Sequence, residues 1–350
     1  MGRVTVKTIA QAVGVSPSTV SNAYNRPDQL STELRTKILA VADELGYAGP
    51  DAAARMLRSG RAEAVGVLLT ERLSYAFSDP YAIGFLTSLT AVLERSQTSL
   101  VLMPLGYELP HVGGLRTPDV TAVRHANVDA IATLCLNAAH PAIELAKARG
   151  IRVIGTDVDP DPDSAWVAID DVDAGARVGR HLAELGHRRV GVIADTGYPS
   201  GTVSTGLTVD DITCPDCHAR LRGLSSALEE LVIVSGGHNT TESGVAAAGA
   251  LLDDPDRPTA IVGLSDVVAI GVLQAAEARG LNVPEDVSVS GFDDVPAAAK
   301  LGLTTVHQPI WERGRRVGEL LLDADLEPRQ VLLPIELVVR GSTGAPSPTV

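Results

Sequence analysis

Two stretches of this 350-residue chain put hydrogen-bonding or reactive side chains at informative spacings. The first is SPSTVSNAYN, Ser16 to Asn25. If Val20 and Ala23 of that run face a core, Ser18, Thr19, Ser21 and Asn22 face outward. Short hydroxyl and amide groups on one helix face offer the donors and acceptors that read base edges in a DNA groove. The second stretch is Cys214-Pro215-Asp216-Cys217-His218, which spells a haem c attachment pattern and also half of a zinc site. Haem attachment requires export, and MGRVTVKT at the start has no apolar signal core. A closed zinc site requires a second cysteine pair, and the third cysteine, Cys135, is far away in sequence. The reading is therefore incidental thiols in a loop, with no cofactor, no metal and no disulfide framework. No Gly-x-Gly-x-x-Gly follows a strand, and no phosphate loop or nucleophile elbow is present, so the signatures of common α/β enzymes are missing.

The outward side chains need a scaffold, and the preceding residues supply one. Ile9, Ala10 and Val13 share a helical face, Gly14 is free to take a positive φ, and Val15 plugs the bend. Ser16 is a good N-cap and Pro17 suits the first helical position. Two short helices meeting at a Gly-centred turn make a helix-turn-helix. Ser31 to Gly46 reads as a third helix, with Leu34, Ile38, Val41 and Leu45 at helical spacing. After it comes YAGPDAAARMLRSGR, a linker with two turns of helix formers, in which Ala54 and Leu57 share a face between Arg55, Arg58 and Arg61. A helix that short is marginal alone. An apolar wedge flanked by arginines suits a helix that folds when pressed into a minor groove.

Charge divides the chain in the same place. Residues 1–61 hold 8 Lys/Arg against 5 Asp/Glu, whereas the whole chain carries −14. A small basic head on an acidic body is expected of a DNA-reading module joined to a part that does not touch nucleic acid. No run of about 18 apolar residues suggests a membrane span, and the expected location is the cytoplasm.

From Ala64 the pattern becomes short β-branched runs alternating with amphipathic helices. Strands are expected from Val65, Ser99, Ala130, Arg152, Val190, Leu231, Ala260 and Val287. The intervening helices include Tyr81 to Arg95, Val172 to Leu185 and Asp266 to Arg279. Alternation of this kind gives doubly wound parallel sheets. So many units imply an α/β body of two lobes with a cleft between them, lined by loops at the carboxyl ends of the strands. The acidic loop Asp157 to Ala165 is the expected first crossing between lobes, and GSTGAPSPTV at the end reads as a disordered tail.

The motifs VTVKTIAQAVGVSPSTVSNAYN, PDAAARMLRSGR, GHRRVGVI, VPEDVSVSGFDD and LTTVHQP, in order from Val4 to Gly341, resemble the lactose/galactose-repressor family. The resemblance implies a homodimeric transcription regulator, a repressor of palindromic operator DNA controlled by a small-molecule effector, with a body like a periplasmic sugar-binding protein. The implied division is a three-helix head at 1–47, a hinge helix at 48–61 and a body at 62–340. The body splits into an N-lobe (about 62–160 and 294–325) and a C-lobe (about 161–293 and 326–340), leaving a tail at 341–350. Carried over by position, Pro17, Ser18 and Asn22 face base edges, within a DNA-contacting set that also takes in Thr5, Ser16, Thr19, Ser21 and Asn25. Arg26, Arg35, Arg55 and Arg58 would hold phosphates, and Leu57 would be the minor-groove wedge with Ala54 beside it. In the cleft, the resemblance places Arg220, Asp293, Gln308 and Asp157 on a sugar or related metabolite, with Ser265 in place of a usual Asn. Phe77 and Tyr81 fall where an aromatic pair often lines the pocket. The plain alternative for Arg220 and Asp293 is a salt bridge between lobes. The rival for the whole chain is a nucleotide- or sugar-binding enzyme with an accessory DNA-binding head.

Overall fold

A computed structural model describes residues 4–49, 60–70, 73–105, 119–196 and 200–347. The chain forms two compact units, Met1–Ala62 and Glu63–Val350.

The first unit contains α1 (Val6–Val13), α2 (Pro17–Asn25) and α3 (Thr32–Glu44). Thr5 starts α1 with a capping box: its hydroxyl accepts from the Thr8 amide while the Thr8 hydroxyl accepts from the Thr5 amide. Gly14 ends it at φ +80°, a left-handed conformation that costs glycine little. The Ser16 hydroxyl then accepts from the Thr19 amide at 3.1 Å and Pro17 opens α2, so the turn satisfies the amides a helix start leaves orphaned. Ile9, Ala10, Val20, Ala23, Ile38 and Ala42 form the core. Fully burying a Val or Ile side chain contributes about 1.5–3 kcal/mol, and with so few such residues this core is thin.

The second unit contains two sheets. The first has the order β12-β5-β4-β3-β1-β2 and is parallel throughout. Its strands are β1 (Ala64–Leu69), β2 (Ser99–Pro104), β3 (Ala130–Leu134), β4 (Arg152–Gly155), β5 (Ala165–Ala168) and β12 (Gln330–Leu332). The second sheet, β13-β11-β10-β9-β6-β8-β7, holds β6 (Arg189–Ala194), β7 (Ser204–Leu207), β8 (Glu230–Ser235), β9 (Ala260–Gly263), β10 (Ser288–Asp293), β11 (Thr304–His307) and β13 (Glu336–Val338). Among the described residues only β7 and β13 run antiparallel there. The helices that follow the head are α4 (Pro80–Arg95), α5 (Thr121–His125), α6 (Pro141–Ala148), α7 (Asp171–Leu185), α8 (Pro215–Ser225), α9 (Thr241–Leu252), α10 (Asp266–Ala278), α11 (Pro296–Lys300) and α12 (Ile310–Leu322). Phe85, Leu89 and Leu93 of α4 share one buried cluster with Val317, Leu320 and Leu321 of α12.

The lobe boundaries differ from the sequence expectation. The Asp157 to Ala165 loop is not a crossing: β5 follows it in the first sheet, with Gly155 opposite Trp166. β10 and β11 both lie in the second sheet, so the return crossing falls after His307 rather than near residue 294. The chain then completes α12 and β12 in the first lobe and crosses a third time between Leu333 and Glu336. Weak patterning explains the miss, because β5 and β12 are four and three residues long and only partly buried. The last residues are also ordered further than expected. Ser342 is buried, its carbonyl accepts from the Val289 amide at 2.7 Å, and its hydroxyl accepts from the Thr304 amide at 2.8 Å. His187, itself buried, reaches Gly344 O at 2.9 Å. The segment from Gly341 to Ser347 is therefore strapped to the second lobe by polar side chains, which hydropathy does not signal.

Candidate effector cleft and DNA-binding head

In the head, Pro17 and Ser18 stand exposed at the start of α2, and Asn25 and Arg26 are exposed at its end. Two polar side chains of this face are tied within the head: Asn22 Nδ2 donates to Gln29 Oε1 at 3.3 Å, and Asn25 Nδ2 donates to the Ser21 carbonyl at 2.9 Å. Ser16 is a cap, and its hydroxyl also lies 2.7 Å from that of Ser18 and 2.8 Å from that of Thr19. Arg35, expected on phosphate, donates its Nε to the Ala23 carbonyl at 3.2 Å and so ties α3 to the end of α2. Ala54, Arg55, Leu57 and Arg58 lie outside the described residues.

In the body, a cavity of about 270 Å³ lies between the lobes. Both sheets contribute from the same topological point. Leu69 ends β1, Leu134 ends β3 and Cys135 to Asn137 follow it, where the first sheet reverses strand order; Ile193 lies near the end of β6 with Asp195 just beyond, and Leu264 and Ser265 follow β9, where the second does. Such points leave a crevice beyond the strand ends, which is where α/β sheets bind ligands.

Arg220 of α8 and Asp293 of β10 both line this cavity and are both buried. They do not bridge the lobes, since both belong to the second one. Arg220 pairs with Asp171 at the start of α7, Nε to Oδ1 at 2.8 Å, and donates Nη1 to the Leu264 carbonyl at 2.7 Å. Its guanidinium stacks 4.9 Å above the Phe292 ring. Asp293 adopts φ +117°, a strained backbone for a residue with a side chain. Burial pushes its carboxyl well above the ordinary range even though Arg220 pulls the other way. Gln308 does not line the cavity; it sits on the return crossing and donates Nε2 to Asp293 Oδ1 at 2.7 Å. Ser265 lines the cavity, caps α10 through the Val268 amide and donates to Asn239 Oδ1 at 2.5 Å.

Of the aromatic pair, Tyr81 lines the cavity and its hydroxyl accepts from Arg313 Nη1. Phe77 does not: its side chain is 69% exposed, so its expected place in the pocket is corrected. Asp157 also lies outside this lining; it faces Asp216 from behind Leu136, whose amide donates to Asp157 Oδ2 at 3.1 Å. Cys135, Cys214 and Cys217 are free thiols at the cavity wall. Burial pushes the Cys135 thiol up, and a hydrogen bond with Cys217 together with burial does the same for Cys214, the opposite of a reactive thiolate. Among the described residues no group of three or more His, Cys, Asp or Glu could hold a metal ion.

Residues 5–49 match the family model "Bacterial regulatory proteins, lacI family", and residues 180–343 match "Periplasmic binding protein-like domain". An HTH-type transcriptional regulator of Mycolicibacterium smegmatis is 34% identical, covering 98% of this chain and 97% of its own. The chain belongs to the lacI family of bacterial regulatory proteins. As a member of that family it is a DNA-binding transcription regulator and not an enzyme. A crystal structure of a lacI-family regulator from Corynebacterium glutamicum superposes with a TM-score of 0.69 at 28% identity, covering 99% of this chain and all of that one. The regulator CelR in complex with cellobiose gives 0.63 at 26% identity, with 97% and 100% coverage. Among the described residues no helix is long and apolar enough to cross a membrane.

Sequence reasoning passed over several residues of this lacI-family cleft. Asp79 caps α4 through the Tyr81 and Ala82 amides, each at 3.3 Å, and lines the cavity. Asn239 and Asp195 come from loops without a pattern. Arg313 is buried on α12, where Nε donates to the Val167 carbonyl at 3.1 Å and Nη2 to that of Thr156. One signal could have found it: an arginine four positions before Val317 on the apolar face of an amphipathic helix.

Proposed function

We propose that this regulator is a cytoplasmic, homodimeric repressor of a palindromic operator, controlled by a polyhydroxylated metabolite of about monosaccharide size bound between its lobes. The observation that carries the reading is the cavity where both sheets reverse strand order, with the strained Asp293 carboxyl aimed into it. Among the described residues four carboxyl groups line it (Asp79, Asp195, Asp216 and Asp293) against one arginine, already paired. Carboxyl oxygens accept hydrogen bonds from hydroxyl groups and repel phosphate. A volume of about 270 Å³ suits a small ligand, and the cellobiose complex of a relative supports a sugar-like class. Two heads are needed because three small helices read few base pairs. Pro17, Ser18 and Asn22 would read bases while Arg26, Arg55 and Arg58 hold phosphates. Closure of the cleft would alter the spacing of the two linkers and part their Leu57 wedges, and by linkage the operator would weaken effector binding by the same factor. The test is a thermal-shift screen of neutral sugars and polyols, sugar phosphates, nucleosides and purines, followed by operator binding with each hit. A neutral sugar or polyol that raises the melting temperature and changes operator affinity is expected; stabilisation by sugar phosphates alone would reject the ligand class.

A further inference from the structure

A second pocket, of about 420 Å³, lies wholly within the first lobe. Among the described residues β4 and β5 meet only through the pairs Ile154–Ala165 and Gly155–Trp166, so the start of β4 has no strand beside it on that side. The segment between Asp157 and Ser164 walls the pocket there. That wall is pinned, since Trp166 Nε1 donates to the Asp159 carbonyl at 3.2 Å and Gln330 Nε2 to the Asp161 carbonyl at 3.0 Å. Ile143, Ile151 and Leu320 supply an apolar side.

Two oxygens of the lining residues are buried without a partner. One is the hydroxyl of Thr133, a fully buried residue of β3. The other is Asp157 Oδ1, whose neighbour Oδ2 accepts from the Leu136 amide at 3.1 Å. Buried oxygens are seldom left without a donor, so these two mark where a ligand donor belongs. At the mouth the side chains of Asp161 and Asp163 are exposed. Among the described residues five aspartates line the pocket against three bases, and two of those bases are occupied. Arg152 donates to the Leu320 and Leu321 carbonyls, and Arg329 pairs with Glu327 at 3.1 Å. The balance favours a cation, and among the described residues no cluster could hold a metal ion.

We propose that this pocket binds a linear aliphatic diamine or polyamine. One ammonium is held inside by Thr133 Oγ1 and Asp157 Oδ1, the methylene chain lies along Ile143, Ile151 and Leu320, and a second ammonium meets the acidic mouth. An ammonium offers only donors, and its bonds to carboxylates are charge-assisted. Leu136 alone among the described residues lines both this pocket and the effector cavity, so the reading does not rest on the effector class.

Isothermal titration of the full chain with cadaverine and spermidine, at constant ionic strength, tests the site. Saturable one-to-one binding is expected, with pentylamine, which has a single ammonium, weaker about tenfold. Thr133→Val keeps the side-chain shape but removes the buried acceptor, and should weaken cadaverine binding about tenfold. Asp163→Asn changes only charge at an exposed position and should weaken it less, which keeps the test available if Thr133→Val misfolds. Asp293→Asn locates the amine: a loss of affinity there, with none in Thr133→Val, would put it in the effector cleft and overturn the proposal. Absence of saturable binding, or a magnesium chloride titration indistinguishable from the cadaverine one, would overturn it too.

Discussion

Asp293 concentrates the physics of the cleft in one residue. Its backbone is held in a conformation that costs about 1–3 kcal/mol, and its carboxyl satisfies the buried Gln308 amide. Asp293→Ala should abolish effector-induced stabilisation and, by orphaning Gln308 Nε2, lower stability by about 1–3 kcal/mol. Asp293→Asn keeps an acceptor for Gln308, so it should melt near the parent while losing the effector response. Melting curves with and without effector separate the two, and an unchanged dose curve in both removes Asp293 from the site. Motif placement found Asp293, Ser265 and Tyr81 at the cavity because they sit at a strand end and at helix starts fixed by the fold, and Arg220 because it lies on the second turn of α8. It failed for Phe77, since one turn of 3-10 helix directs that ring to solvent, a choice no local pattern records.

At the scale of elements, the Arg220–Asp171 pair depends on how closely α7 and α8 approach. A Cβ on Gly175 would lie 2.0 Å from the Arg220 carbonyl oxygen, and one on Gly223 would lie 2.1 Å from that of Val172. Gly175→Ala must push the helices apart. Overpacking costs about 1–3 kcal/mol, and the displaced Arg220 should weaken effector binding; a variant with the parent's melting temperature and effector affinity would refute this. Periodicity made the long strands and helices legible. The short strands β5, β12 and β13 were not, because three or four partly buried residues carry no distinct alternation. For the linker, Leu57→Ala should lower specific operator affinity by a few kcal/mol without altering effector binding. Equal operator affinity in a titration of parent and variant would count against a wedge.

For the whole molecule, buried carboxyls tie stability to pH. Burial raises Asp266 to about 7, although the Thr305 hydroxyl and the Val295 amide both donate to it. A carboxyl raised on folding binds its proton more tightly in the native state, so its contribution is full below the unfolded value and fades as pH climbs toward 7. The stability margin of the parent over Asp266→Asn should therefore shrink between pH 5 and 8, by on the order of a few kcal/mol. Comparing the two chains cancels the half-buried His181 and the buried His187, whose lowered values act in the opposite direction. A margin that is constant or grows with pH would contradict the assignment.

The three chain crossings between the sheets, at 168–171, 307–310 and 333–336, have a mechanical result. Three cords laid between two plates resist sliding and separation but permit a bend about the line that joins them. A metabolite caught between the plates can then do only one thing to the molecule, and every copy must answer it with the same turn.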